Sequence, residues 1–139
     1  YGSGKTHLGM AVVYQRLQEG HFSWFTTAPG LLDRWRSWFD RDQEEFSFSE
    51  RYERDCDAQY MVVLDDLGNE RGTEWGKERL SRFLDHRYVR ELPTIITTNY
   101  PQRELAQKSG ELVADRVFDR RTGRVRTVFL SCGSYRTGD

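Results

Sequence analysis

The opening residues, Tyr1-Gly2-Ser3-Gly4-Lys5-Thr6, run straight into an apolar helical segment, and this junction constrains the fold more than any other stretch. It matches the second half of the phosphate-loop pattern G-x-x-x-x-G-K-[ST]. Gly2 and Gly4 let backbone N–H groups turn inward and approach an anion where a side chain would block them. The N-terminus of the helix that follows adds a favourable field for negative charge. Lys5 is then placed to bridge the β- and γ-phosphates of a nucleotide, and the Thr6 hydroxyl to ligate Mg2+. Ser3 and His7 complete the candidate nucleotide-binding set. A glycine–serine helix entry carrying an unrelated lysine is the plainer alternative, and the motifs further along weigh against it.

The rest of the chain alternates helices and strands. Residues 5–19 read as a helix that is apolar on most of its circumference (Leu8, Ala11, Val12, Val13, Leu17) and ends at Gly20. Such a helix is expected to lie packed between a sheet and other elements. Residues 21–27 form a short aromatic strand. Pro29 sits in the first turn of the next helix, whose stripe is Leu31, Leu32, Trp35, Trp38 and Phe39. Residues 40–58 are polar, with scattered aromatics and a short helix near Glu50. Residues 60–64 are a continuous apolar run, the mark of a parallel strand buried on both faces. Residues 73–92 are a helix stopped by Pro93, and 94–98 a second buried strand. Helical segments over 102–121 and a last strand at 127–130 complete an α/β chain built on a parallel sheet.

Two of these strands end in polar residues. Met61-Val62-Val63-Leu64-Asp65-Asp66 is an apolar strand running into two acids. Beside a phosphate loop, Asp65 would hold Mg2+ through water, since that ion keeps much of its hydration shell. Asp66 would polarise the attacking water, and with one methylene fewer than Glu it has the shorter reach. Thr97-Thr98-Asn99 ends the next strand. The carboxyl end of a parallel strand is where open α/β sheets bind ligands, and there Asn99 could orient the water and sense the γ-phosphate. A turn-forming Asn before Tyr100-Pro101 is the competing role.

The stretch Asp65-Asp66-Leu67-Gly68, then Thr73-Glu74-Trp75, Arg87-Tyr88 and Leu92-Pro93-Thr94-Ile95-Ile96-Thr97-Thr98-Asn99 resembles the DnaC/DnaI-type helicase loaders. It is also similar to the related IstB-type transposition ATPases. The resemblance runs from the phosphate loop to Ser134-Tyr135-Arg136 and is weakest over 40–58. It implies one domain over residues 1–139: an AAA+ P-loop NTPase, a three-layer sandwich around a parallel sheet. It implies ATP and Mg2+ as cofactors and hydrolysis in a homo-oligomer, where one subunit lends an arginine finger to the next. The matching segment is Val113-Ala114-Asp115-Arg116-Val117-Phe118-Asp119-Arg120, with Arg120 favoured as the finger and Arg116, one turn earlier, as the alternative. Where the family often has Leu, Arg121 follows. Arg136 matches the family's closing motif, where a sensor-2-like nucleotide contact and an ordinary surface arginine both stay open. The resemblance further implies single-stranded DNA and a replicative helicase as partners, the helicase being reached through a separate N-terminal region. An IstB-type transposition helper, or a nucleotide-gated module with little hydrolysis, stays open beside the loader.

In the ATPases this resembles, the strand feeding the phosphate loop lies in mid-sheet. That strand and the pattern's first glycine would precede Tyr1, so the chain is expected to be a fragment that opens inside its own loop. Losing a central strand removes two ladders of backbone hydrogen bonds and opens both core faces. Expressed alone, residues 1–139 are therefore expected to bind nucleotide weakly or fold poorly.

Composition narrows the partners. The 139 residues carry a formal net charge of −1, which argues against a strongly electrostatic DNA binder acting as a monomer. Acidic residues outnumber the arginines Arg41, Arg51 and Arg54 between Asp40 and Glu70, and arginine is dense from Arg116 to Arg136. Among Trp24, Phe25, Trp35, Trp38, Phe46, Phe48 and Tyr52, the pair Phe46 and Phe48 lies in the polar segment. They are the candidates for exposed aromatics that stack on bases. Their acidic neighbours count against a DNA role and suit a protein contact at least as well. No apolar run spans a bilayer and no export signal opens the chain. Cys56 and Cys132 lack metal-ligand spacing and read as reduced thiols of a cytoplasmic protein.

Overall fold

The computed structural model describes residues 2–41 and 45–131. Nine elements follow in order: α1 (Lys5–Gln18), β1 (Ser23–Thr27), α2 (Ala28–Arg41), α3 (Glu45–Cys56), β2 (Met61–Leu67), α4 (Glu74–Val89), β3 (Thr94–Thr98), α5 (Gln102–Ser109) and α6 (Glu111–Val117). The strands form one parallel sheet in the order β1-β2-β3. The alternation of apolar strands and helices is what dictates this arrangement, because parallel neighbours need a crossover and a helix supplies it.

Local signals set the boundaries. Gly4 enters α1 at φ 82°, and Gly20, at φ 83°, closes it while its N–H and that of His21 bond back to Leu17 and Arg16. Thr73 caps α4, its hydroxyl accepting from the Gly76 N–H at 3.1 Å. Helix α3 runs through twelve residues where a short helix near Glu50 was expected.

The core lies on one face of the sheet. Val62 and Leu64 of β2 meet Leu31 and Trp35 of α2, Phe48 and Tyr52 of α3, and Leu80 and Phe83 of α4. Phe48 is thus not an exposed base-stacking candidate. It is only 4% exposed, because α3 turns it inward against Tyr52 and Trp75. The side chain of Phe46 lies outside the described residues, as do Cys132 and the closing motif with Arg136. Cys56 is buried, and that burial pushes its thiol up to about 11.

On the opposite face Val63 meets α1, where a methyl group on Gly9 would stand 2.9 Å from its Cγ1. Here the structure departs from expectation. Helix α1 is not enclosed: Gly9 is its one buried residue, while Leu8, Met10, Tyr14 and Leu17 are exposed. One flank of α1 rests on the sheet, and the next borders a groove of about 1130 Å3 that runs along β3. The strand expected at 127–130 is also absent. These residues line the far wall of the same groove and make no ladder with β3, so Val128 and Phe129 stand exposed.

Buried Arg87 ties the sheet together at its other end. Its Nε donates to Thr94 Oγ1 at 2.8 Å, Nη1 to the carbonyls of Ala58 (2.8 Å) and Cys56 (3.3 Å), and Nη2 to those of Pro93 (3.1 Å) and Tyr60 (3.2 Å). One planar fork thereby satisfies the carbonyls that lead into β2 and β3.

Candidate functional site

The site forms where the start of α1 meets the carboxyl ends of β2 and β3. Gly2 and Gly4 both adopt positive φ, 80° and 82°, the region open to glycine at little cost. The loop they shape carries Lys5 on its rim, whose Nζ donates to Ser3 Oγ at 2.7 Å. The next residue, Thr6, donates its hydroxyl to Asp65 Oδ2 at 2.9 Å. Two oxygen ligands 59 residues apart in the chain thus converge, as a hard cation with oxygen preference requires. Among the described residues no group of three or more His, Cys, Asp or Glu side chains gathers around a metal position.

The sheet is irregular where the acids lie. Leu64 pairs with Ile96 and Leu67 with Thr98, so β2 spans three residue steps where β3 spans two. The extra residue is a bulge at Asp65-Asp66, a device that re-aims side chains at a strand end. Asp66 takes up the bulge at φ 63°, an uncommon conformation for a residue with a side chain. Its N–H donates to Thr97 Oγ1 at 3.0 Å, and the Thr97 hydroxyl donates to Asp65 Oδ1 at 2.5 Å. Buried Asp65 therefore has one oxygen on Thr6 and the other on Thr97.

Asn99 follows β3 and borders the groove together with Ser3 and Lys5, so the three share one cavity. His7 does not join them: it is exposed on α1 and does not line that groove. The two finger candidates differ. Arg116 donates to Asp85 Oδ1 at 2.7 Å and lies 4.7 Å over the Tyr88 ring, engaged within the chain itself. Arg120 is exposed and lies 5.6 Å from the Phe129 ring centre. The turn that carries Arg120 is pinned, because Asp119 accepts from Tyr88 Oη at 2.6 Å and from the Arg121 N–H at 2.9 Å. The Tyr88 hydroxyl, with the Arg121 N–H, holds the Asp119 carboxyl below the usual carboxylate range.

Several contributors escape a reading of motifs. Thr97 lies one residue before the end of β3, and its hydroxyl holds both the Asp65 carboxylate and the Asp66 N–H. Glu70 is buried, accepting from the Gly68 N–H at 2.8 Å and from the Ser109 hydroxyl, and so pins the loop after Asp66 to the end of α5. The one signal for Glu70 is a carboxylate two residues after a glycine, too common to single out.

Comparison with known proteins bears on the family and the fold. Replicative helicase loader DnaC of Escherichia coli strain K12 is 25% identical over 136 residues, 98% of this chain and 53% of the relative. The chain thus spans about half the length of the curated relatives it matches. In three dimensions it is similar to the crystal structure of the DnaC helicase loader, with a TM-score of 0.71 and 29% identity over 85% of this chain and 69% of that one. AMPPCP-bound DnaA from Aquifex aeolicus gives a TM-score of 0.70 at 19% identity, over 84% of this chain and 35% of that one, and bears on the fold alone. These are AAA+ P-loop domains, and the sheet, loop and acid-bearing strand described above are of that fold. The model of the family "IstB-like ATP binding protein" matches residues 1–139, and the chain belongs to that family.

Proposed function

We propose that this domain binds ATP with Mg2+ and hydrolyses it in a homo-oligomer, as the motor of a protein that loads a replicative helicase onto single-stranded DNA. The observation that carries the reading is the Thr6–Asp65 contact at 2.9 Å, beside a glycine loop at a helix N-terminus. Gly2, Ser3, Gly4 and Lys5 would receive the phosphates, with N–H groups and the Lys5 ammonium matched to negative charge. Thr6 and Asp65 would hold Mg2+, which offsets charge on the phosphate oxygens. Asp66 would accept a proton from the attacking water, and Asn99 would orient that water near the γ-phosphate.

Hydrolysis would be completed in trans by Arg120, a cation that stabilises charge developing on the transferred phosphoryl group. Its exposure supports this role over Arg116, which is occupied by Asp85 and Tyr88. The loader assignment draws on similarity to DnaC along 98% of this chain. A second reading, an IstB-type helper of transposition, draws on the family match itself. The test is ATP turnover by the full-length protein with single-stranded DNA, in the presence of either the replicative helicase or a transposase from the same genome. Stimulation by the helicase alone supports the loader. Stimulation by the transposase alone sinks it, and wild-type turnover in Lys5→Ala sinks the ATPase site.

A further inference from the structure

The Asp66 carboxylate is held by a residue just beyond its own strand. Asn69 Nδ2 donates to Asp66 Oδ1 at 2.5 Å, and Tyr100 Oη donates to Asn69 Oδ1 at 2.8 Å. The direction of this chain is forced. An ionised carboxylate only accepts, so the Asn69 amide must present its NH2 group to Asp66. Its carbonyl then faces the other way and needs a donor, which the Tyr100 hydroxyl supplies. Backbone bonds fix the same turn, with the Asn69 N–H donating to the Asp66 carbonyl at 3.2 Å.

Tyr100 is itself held closely. Its ring lies on Gly68, where an added methyl would come within 2.4 Å of Cδ2, and Lys108 Nζ stands 4.5 Å over the ring. Tyr100 also follows Asn99 directly in the chain, at the end of β3. The acid and the γ-phosphate-sensing position are thereby joined by a hydrogen-bonded path, Tyr100 to Asn69 to Asp66, besides the sheet itself.

We propose that Asn69 and Tyr100 are positioning residues for hydrolysis: by occupying Oδ1 they aim the remaining oxygen of Asp66 at the attacking water, and they tie that aim to the position of Asn99. The inference rests on the reading of Asp66 as the water-polarising acid. Because Asn69 and Tyr100 act through the Asp66 carboxylate, their removal is expected to fall on turnover and not on binding.

The test uses the full-length protein with single-stranded DNA, measuring steady-state ATP turnover and, separately, nucleotide affinity. Asn69→Ala should lower kcat about tenfold while KM and nucleotide affinity stay within about twofold, the pattern of an interaction made only in the transition state. Tyr100→Phe keeps the ring on Gly68 and removes only the hydroxyl. It should lower kcat in the same sense, and the double variant should be no worse than Asn69→Ala alone, since both act along one path. In an Asp66→Asn background, Asn69→Ala should add nothing. Wild-type kcat in Asn69→Ala, with Asp66→Asn impaired, overturns the positioning role and leaves Asp66 standing. Wild-type kcat in Asp66→Asn overturns the reading of the acid and this inference with it. A loss in Asn69→Ala that falls on KM or affinity, or a Tyr100→Phe variant that behaves as wild type, also counts against it.

Discussion

The hydroxyl of Thr6 meets the carboxylate of Asp65 at 2.9 Å, joining positions 59 residues apart in the chain. The contact links the first turn of α1 to a bulge near the end of β2. Two short motifs far apart in the chain become one site through it. Thr97 fixes the other oxygen of Asp65, so the carboxylate is oriented before any ligand arrives.

The first prediction follows from that contact. In the full-length protein, Thr6→Ala should leave the fold intact and remove most of the Mg2+-dependent gain in nucleotide affinity. Losing a direct ligand should cost at least the 10- to 100-fold typical of outer-shell partners. Titration of a fluorescent ATP analogue with and without Mg2+ reads the effect. An unchanged Mg2+ dependence would place the cation elsewhere.

The arginines of the α6 segment give a contrast between two substitutions. Arg120→Ala removes an exposed side chain and should leave the melting temperature unchanged while lowering turnover on the order of 1,000-fold or more, as for other fingers. Arg116→Ala should shift stability slightly, because its pair with Asp85 is half exposed and such pairs contribute about 1 kcal/mol or less. Mixing Arg120→Ala with Lys5→Ala subunits should restore some hydrolysis, since a mixed interface can join an intact site to an intact finger. Absence of recovery at every ratio would argue against action in trans.

How far the chain could be read beforehand depends on whether a role is local. Lys5, Thr6 and Asp65 were legible because a glycine loop before a helix and acids after an apolar strand leave a pattern in consecutive residues. Thr97 and Tyr100 were not assigned roles, because each acts through a partner about 30 residues away that only the sheet brings near, and Asn69 gains its role only once Tyr100 is placed beside it. Phe48 was misread for a related reason. Its place in a polar segment suggested exposure, but α3 is amphipathic and folds that phenylalanine under itself. The apolar circumference of α1 and the run at 127–130 pointed to enclosure and to a strand. Both border a groove beside β3, so neither gains the neighbours its composition suggests.

Arg87 should prove the least replaceable residue outside the site. It is 1% exposed and donates five hydrogen bonds, four of them to backbone carbonyls and none to a carboxylate. Lysine keeps the charge but cannot present two edges of a planar fork. Arg87→Lys should therefore lose about 2–4 kcal/mol, since it leaves buried carbonyls unsatisfied. Urea unfolding of the variant beside the wild type measures this. A loss below about 0.5 kcal/mol would show that water replaces the fork.

The mount of Arg120 predicts a pH dependence whose sign can be worked out. Tyr88 and the Arg121 N–H favour ionised Asp119, so its folded-state pKa lies below its unfolded value. A depressed carboxylate contributes stability that is complete above the unfolded pKa, about 3.9, and is lost as pH falls through the folded value. Tyr88→Phe removes the donor at 2.6 Å and raises the folded pKa toward the ordinary range. The wild type should thus exceed the variant by a constant margin above about pH 5, and the margin should shrink as the medium becomes more acidic. Denaturant unfolding of both proteins between neutral pH and the acid limit of folding would reveal the convergence. A margin independent of pH would assign the effect to the other contact of the Tyr88 hydroxyl, with Thr122 Oγ1 at 2.7 Å, and not to the carboxylate.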